Sequence, residues 1–213
     1  MKKITLSFAA LALMLTGTSL HAGTILSENF NGLTPQASAT SVGAFSAIDG
    51  TNVDIVGLSF FPSLVVAPES GNAIDLDGSN GNPQGVLQSN SAVSLVPGVN
   101  YLLSFDLVGS QRGNITSTTV TFGSYDQTFL LASGDDTDGI VVDALVSVSA
   151  PESAFLTFTS NTPGDVGALL DNVSITSGPS TSPVPEPTSL LMLGSGLVAL
   201  AGLSRRNFAA RNF

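Results

Sequence analysis

The chain has no cysteine and no tryptophan, and only 10% of its 213 residues are charged. Without cysteine, neither a disulfide, a thiolate metal site nor a cysteine nucleophile can form. Soluble domains usually contain about 25% charged residues, so this surface must rely on Ser, Thr, Asn and Gly. The length suits one domain of moderate size with appended segments.

Basic residues are few and lie mainly at the ends of the chain. Six Lys and Arg residues stand against sixteen acidic ones, which gives a formal net charge of −10. Arg112 is the only basic residue between positions 23 and 180, a stretch that holds fifteen carboxylates. A basic face cannot be built from this composition, and nucleic-acid binding through such a face is therefore excluded.

The N-terminus has the three parts of a secretory signal peptide, which we predict over residues 1–22. Lys2 and Lys3 precede an apolar run too short to span a bilayer, and Ala22 provides a small residue at the expected cleavage site. Cleavage would remove His21, the only histidine. The mature domain then has no histidine, lysine or cysteine, so we predict no enzymatic activity. A glycosidase or lyase built on paired carboxylates stays the most distant alternative.

The C-terminus has its own order. A Pro/Ser-rich linker covers residues 177–187, an uncharged apolar run covers 188–204, and a basic tail covers 205–213. We predict a transmembrane helix over 188–204 with the arginines on the cytoplasmic side. It is short for a bilayer, but local thinning and arginines that reach the interface can compensate.

The sequence Val184-Pro185-Glu186-Pro187, the apolar run and the pair Arg205-Arg206 together resemble the PEP-CTERM sorting signal. The resemblance implies export, cleavage by signal peptidase, transient anchoring in the inner membrane and processing by an exosortase. It further implies delivery to the cell surface or exopolysaccharide matrix of a Gram-negative bacterium. The family signal commonly ends soon after the arginines, whereas this chain continues to residue 213.

The middle of the chain, residues 23–176, predicts an all-β domain. Short apolar runs recur between Gly, Asn, Asp and Pro, and no stretch has helical periodicity. The predicted strands are 24–30, 53–58, 63–67, 73–77, 85–89, 92–96, 100–108, 117–125, 127–132, 140–149, 153–159 and 168–176. Alternation such as that of Tyr101, Leu103, Phe105 and Leu107 is typical of antiparallel sheets with one wet face. We therefore expect a two-sheet antiparallel β-sandwich, a jelly roll.

The segments Pro97–Asp106 and Leu169–Ile175 resemble the galactose-binding-like jelly rolls of carbohydrate-binding modules. Such modules often hold a structural calcium between early and late strands. Simple alternation places Asp171 on the apolar face, where a carboxylate needs a cation or several hydrogen-bond donors. One interpretation of this carboxylate is a calcium ion held by Glu28 and Asp171. The alternative is a carboxylate that accepts backbone hydrogen bonds.

A second acidic pair, Asp75 and Asp77, lies on one face at the end of a predicted strand. It suits either a weak extracellular calcium site or a solvated turn. Two further residues are candidates for ligand binding. Tyr125 is the better exposed of the two tyrosines, and it suits a sugar platform or an edge strand without ligand. Arg112 suits an acidic sugar or carboxylate, or a solvated loop, or a pairing with one of the many acids.

These features favour an exported, non-catalytic surface or exopolysaccharide-matrix protein. The alternative is a carbohydrate-binding module that recognises extracellular polysaccharide. Exosortase and signal peptidase are the expected processing partners, and calcium is the candidate cofactor.

Overall fold

The computed structural model describes residues 23–64, 71–79, 84–133 and 140–178. The predicted signal peptide, most of the Pro/Ser linker, the apolar run and the basic tail lie outside the described residues. Within the described ranges, no helix is long and apolar enough to cross a membrane.

Regular structure in the described part consists of fifteen strands and one 3₁₀ turn at Pro62–Leu64. The strands are β1 (Gly23–Glu28), β2 (Gln36–Ala39), β3 (Ser41–Val42), β4 (Phe45–Ala47), β5 (Val53–Val56), β6 (Ala73–Asp75), β7 (Val86–Ser89), β8 (Val93–Leu95), β9 (Tyr101–Val108), β10 (Thr116–Phe122), β11 (Tyr125–Leu131), β12 (Ile140–Val146), β13 (Glu152–Ala154), β14 (Thr157–Ser160) and β15 (Leu169–Ser177).

The strands form two main antiparallel sheets. The seven-stranded sheet has the order β12-β9-β15-β6-β5-β2, with β1 added on β15. The six-stranded sheet has the order β11-β10-β14-β7-β4-β3, and β13 and β8 form a separate two-stranded sheet. The predicted two-sheet antiparallel sandwich is therefore confirmed.

The core lies between the two sheets and follows the alternation of the sequence. In β9 the residues Tyr101, Leu103, Phe105 and Leu107 are buried and belong to the main core cluster. Phe158 of β14 makes an edge-to-face contact with Phe105 across the core, with ring centroids 5.2 Å apart. Such contacts add roughly 1 kcal/mol to the burial of the rings, so they help to fix the spacing of the sheets.

Three details of the strand prediction need correction. The short strands β2, β3 and β4 were not predicted, because the segment 36–47 is made mostly of Ser, Ala, Gly and Thr and has little apolar alternation. The predicted strand 153–159 is split between β13 and β14, which pair with different partners. In the predicted strand 63–67, residues 63 and 64 belong to the 3₁₀ turn, and the rest lies outside the described residues.

A β-bulge in β15 changes the local register. Asp171 is opposite Asp106 and Ser174 is opposite Ser104, so two residues of β15 face one residue of β9. Asn172, inside the bulge, has a φ of 50°. Asn is one of the few residues that tolerates this left-handed conformation, and a bulge of this kind shifts the alternation of side chains by one position.

The bulge overturns the expectation that Asp171 faces the core. Leu170 packs with Val173 and Ile175 in the main core, a spacing that is possible only with the extra residue. Leu169 belongs to a separate apolar cluster on the other side of the sheet. Asp171 therefore lies with Leu169 on the outer face of the seven-stranded sheet.

Candidate functional site

Asp75 and Arg112 form an ion pair, although they are distant in sequence. Asp75 ends β6, and its side chain is 1% exposed. One carboxylate oxygen contacts the guanidinium of Arg112. The other accepts hydrogen bonds from the backbone N–H groups of Asp77, at 3.1 Å, and Gly167, at 2.9 Å. Of the three roles left open for Arg112, the structure shows the pairing with an acid.

Asp54 lies directly beside this ion pair and was not identified from the sequence. It is opposite Asp75 in the pairing of β5 with β6 and is 2% exposed. Its carboxylate accepts the N–H of Ser38 at 2.8 Å and the N–H and hydroxyl of Ser79, the N–H at 2.9 Å. Backbone donors rather than a cation therefore accommodate this second buried carboxylate.

Asp77 links the two sheets. One of its oxygens accepts the N–H of Gly85 at 3.0 Å, and the other accepts the hydroxyl of Ser160 in β14 at 2.8 Å. The N–H of Ser160 in turn donates to the carbonyl of Gly85 at 2.9 Å. Asp77 thus joins the end of β6 to the start of β7 and the end of β14.

Burial raises the pKa of two of these carboxyls, Asp75 and Asp77. Desolvation raises the pKa of Asp75 to about 7, against the opposing effect of Arg112 and of two backbone hydrogen bonds. Desolvation raises the pKa of Asp77 as well, and the hydrogen bonds from Gly85 and Ser160 partly oppose it. The single nearby cation does not compensate for the loss of water.

Glu28 and Asp171 are on opposite faces of the seven-stranded sheet. Glu28 is opposite the core residue Val173, and residues directly opposite each other share a face. Its two oxygens accept the N–H groups of Phe30 and Ala44, each at 2.9 Å. The carboxylate of Asp171 also accepts a backbone N–H, that of Asn172 at 2.7 Å, which agrees with the alternative interpretation given above for Asp171.

Glu28 and Asp171 do not share one calcium site, because they lie on opposite faces of the sheet. Among the described residues, no three His, Cys, Asp or Glu side chains are grouped so that they could hold a metal ion. The oxygens of Asp75 and Asp77 accept hydrogen bonds, and a guanidinium already lies beside Asp75. Calcium binding stays a prediction, which a comparison of thermal unfolding in EDTA and in added calcium would test.

Tyr125 begins the edge strand β11, where it is partly buried and packs against the main core. Burial raises the pKa of its hydroxyl. Tyr101 is buried, and its hydroxyl accepts the N–H of Val96 at 3.0 Å. Neither tyrosine therefore presents a fully open ring face to solvent.

The outer face of the six-stranded sheet is almost free of charge. One row of cross-strand neighbours contains Thr121, Thr157, Gln88 and Ser46, and ends at Asp126 on the edge strand. The next row contains Thr128, Thr119, Thr159 and Val86. Hydrogen bonds join neighbouring side chains, among them that between the hydroxyls of Thr119 and Thr128 at 2.8 Å. Alternation in the sequence predicts a polar face here, but the alignment of these hydroxyls in rows follows only from the register in which the strands pair.

A comparison with protein families identifies the C-terminal segment. Residues 183–206 match the PEP-CTERM protein-sorting motif. The matched range contains both Val184–Pro187 and Arg205–Arg206, so the sorting signal expected from the sequence is confirmed. No curated protein matches the chain at a significant level.

The fold is similar to that of carbohydrate-binding domains. The CBM22-1–CBM22-2 tandem domain of Paenibacillus barcinonensis Xyn10C matches with a TM-score of 0.50 and 12% identity, over 80% of this chain and 49% of that one. The CBM22-1 xylan-binding domain of the same protein matches with a TM-score of 0.48 and 13% identity, over 74% of this chain and 96% of that one. A family 35 carbohydrate-binding module from Clostridium thermocellum matches with a TM-score of 0.39 and 12% identity, over 67% of this chain and 98% of that one.

At these identities the similarity establishes the fold alone, and the chain spans about half the length of the tandem domain. The expected jelly roll of the carbohydrate-binding-module type is confirmed at this level. The chain thus combines a β-sandwich of that type with a PEP-CTERM sorting motif.

Proposed function

We propose that this chain is an exported, non-catalytic protein of the cell surface or exopolysaccharide matrix, delivered by an exosortase. The observation that carries the proposal is the sorting motif at residues 183–206, which follows a β-sandwich domain. The basic pair Arg205–Arg206 anchors the precursor on the cytoplasmic side, and processing at the motif releases the domain to the outside.

The environments of the buried acids support a non-catalytic role. Asp54, Asp75 and Asp77 accept hydrogen bonds from groups of the fold itself, most of them backbone N–H groups. A paired-carboxylate hydrolase instead needs one acid and one base that both reach a substrate in a cleft. The buried carboxylates therefore serve the architecture of the sandwich.

Intact-mass spectrometry of the exported protein tests this delivery. Cells with an exosortase are expected to release a form that lacks Arg205 and Arg206, whereas cells without it retain the complete C-terminus in the membrane. Replacement of Glu186 by Ala in the motif is expected to reproduce the exosortase-deficient result, and Ser182→Ala, just outside the matched range, serves as its control. An unprocessed tail on protein in the culture fluid contradicts the proposal.

A second candidate function is binding of extracellular polysaccharide. The outer face of the six-stranded sheet favours it, because aligned hydroxyl and amide groups suit the hydroxyl groups of sugars. A glycan array probed with the exported protein separates the two candidates. Specific binding supports the second, and no binding to any glycan leaves the role of a matrix or surface protein without a sugar ligand.

A further inference from the structure

A cavity of about 460 Å³ opens on the outer face of the six-stranded sheet, at the end of the row that contains Thr159 and Val86. One wall is formed by Gln84 and Val86 at the start of β7, and the facing wall by Thr159 and Asn161 at the end of β14. Asp49 is at the third side. The volume lies within the range of about 300–1,000 Å³ that is usual for small-ligand sites.

Hydrogen bonds to the buried carboxylate of Asp77 connect the two facing walls. Gly85, between Gln84 and Val86, donates its N–H to one oxygen of Asp77, and Ser160, between Thr159 and Asn161, donates its hydroxyl to the other. A side chain on Gly85 would collide with the carbonyl oxygen of Leu76, at 1.7 Å from its Cβ, so this wall needs glycine.

The third side is a tight turn tied to the same framework. The N–H of Thr51 donates to the carbonyl of Ile48 at 3.0 Å, and the two residues between them, Asp49 and Gly50, have φ values of 57° and 73°. Positive φ at both central residues is the pattern of a type I′ turn. The hydroxyl of Thr51 accepts the N–H of Val86 at 3.1 Å, which fixes the turn against the first wall.

The groups at the rim determine which ligand chemistry suits the cavity. Gln84, Asn161 and Asp49 are exposed, and together with the hydroxyl of Thr159 they offer amide, carboxylate and hydroxyl groups. Val86 adds an apolar surface. Among the described residues, the lining includes no basic side chain, so an anionic ligand would face only Asp49 and a strongly acidic domain.

We propose that this cavity is a binding site for one unit of a neutral polysaccharide, with the rest of the chain lying along the hydroxyl rows. Sugar hydroxyls pair with the amide and carboxylate groups, and the C–H face of the ring packs on Val86. The inference rests on the second candidate function above and specifies where the sugar binds. The framework around Asp77 and Thr51 is formed before binding, which lowers the cost of ordering the site.

Affinity electrophoresis of the full chain tests the site. The neutral probes are the soluble polysaccharides xylan, β-1,4-glucan, β-1,3-glucan, galactomannan and dextran. Alginate and polygalacturonate serve as anionic probes. We expect at least one neutral polysaccharide to retard the protein and neither anionic one to do so. Gln84→Ala combined with Thr159→Val is expected to weaken that retardation about tenfold, as the loss of two hydrogen bonds implies.

Matched controls lie in the seven-stranded sheet, away from the cavity and the hydroxyl rows. Gln36→Ala in β2 and Thr176→Val in β15 remove the same chemical groups there and are expected to leave retardation unchanged. If the wild type binds a neutral glycan and the cavity variant binds it equally well, the cavity assignment is wrong and sugar binding stands. If only the anionic polysaccharides retard the wild type, the neutral-sugar site is wrong and polysaccharide binding stands. If no probe retards the wild type, the site and polysaccharide binding are both overturned.

Discussion

The outer faces of the two sheets share one core but differ in chemistry. The seven-stranded sheet has carboxylates on its outer side, with Asp54 opposite Asp75 and Asp171 opposite Asp106. The six-stranded sheet has rows of Thr, Ser and Gln, with Asp126 only at its edge.

The difference in burial gives these faces different roles. Asp54, Asp75 and Asp171 are buried, with at most 6% of any of them exposed, so they are shielded from water and need partners in the fold. Thr119 and Thr159, by contrast, are only partly buried and remain accessible. An acidic chain with one internal cation thus uses several of its carboxylates as acceptors for backbone N–H groups and leaves one face neutral for contact.

The largest expected effect comes from Asp77, which holds two buried donors. Asp77→Ala leaves the N–H of Gly85 and the hydroxyl of Ser160 without their acceptor, and we expect a loss of about 3 kcal/mol in the free energy of unfolding. Urea denaturation measures it. Asp126→Ala removes an exposed carboxylate from the neutral face and should change stability by less than about 0.5 kcal/mol. Equal effects of the two substitutions would contradict the contrast between the faces.

Arg112→Met tests the ion pair with Asp75. At pH 8 the variant leaves a buried carboxylate without its cation, and we expect a loss of about 2 kcal/mol. At pH 5 the loss should be smaller, because the neutral carboxyl of Asp75 needs no cation. Asp75→Asn combined with Arg112→Met should recover most of the loss at pH 8. A loss that is the same at both pH values would show that Arg112 acts through packing alone.

The wild-type protein should become less stable as the pH rises from 5 to 8. Burial raises the pKa of Asp75 from 3.8 to about 7, so the folded protein binds this proton more tightly than the unfolded chain does. Folding is therefore favoured at low pH, and the benefit disappears between pH 3.8 and about 7. We expect a decrease of about 1–2 kcal/mol, read from urea midpoints. In Asp75→Asn this dependence should flatten, and an unchanged slope would assign it to other groups.

The smallest effect is expected on the neutral face. Thr157→Val and Thr121→Val keep the volume and the β-branched shape of partly buried side chains on the outer face, so each should change the free energy of unfolding by less than about 0.5 kcal/mol. Thermal unfolding at one pH is sufficient to measure this. A loss above about 1 kcal/mol would mean that the hydroxyl rows stabilise the sheet and are not a surface left free for a ligand.

Much of the architecture was predictable from the sequence because alternation is a local signal. The buried residues of β9 and the contact of Phe158 with the core follow from period-two patterns in single segments. The strands β2, β3 and β4 were missed because their small residues carry no such signal. Pairing stabilises them: β2 pairs with β5, β4 pairs with β7, and β3 pairs with β4.

The site was less predictable, because its residues meet through long-range pairing. Asp75, Asp77 and Arg112 were identified as separate candidates, but nothing local indicated that Arg112 reaches Asp75 or that Asp54 lies beside it. For Asp171 the alternation rule failed at one bulge, because a single residue with positive φ reverses every side chain beyond it.

By itself the sequence determined the class of the protein: a sorting motif at the C-terminus, an all-β domain, and a composition that excludes cysteine and histidine chemistry within residues 23–178. These properties depend on residue type and local spacing. Only the tertiary structure decided which acids are buried, which donors satisfy them and which face is left neutral. Those properties depend on strand register and on the loops that cover each sheet, and both are set by contacts between residues far apart in the chain.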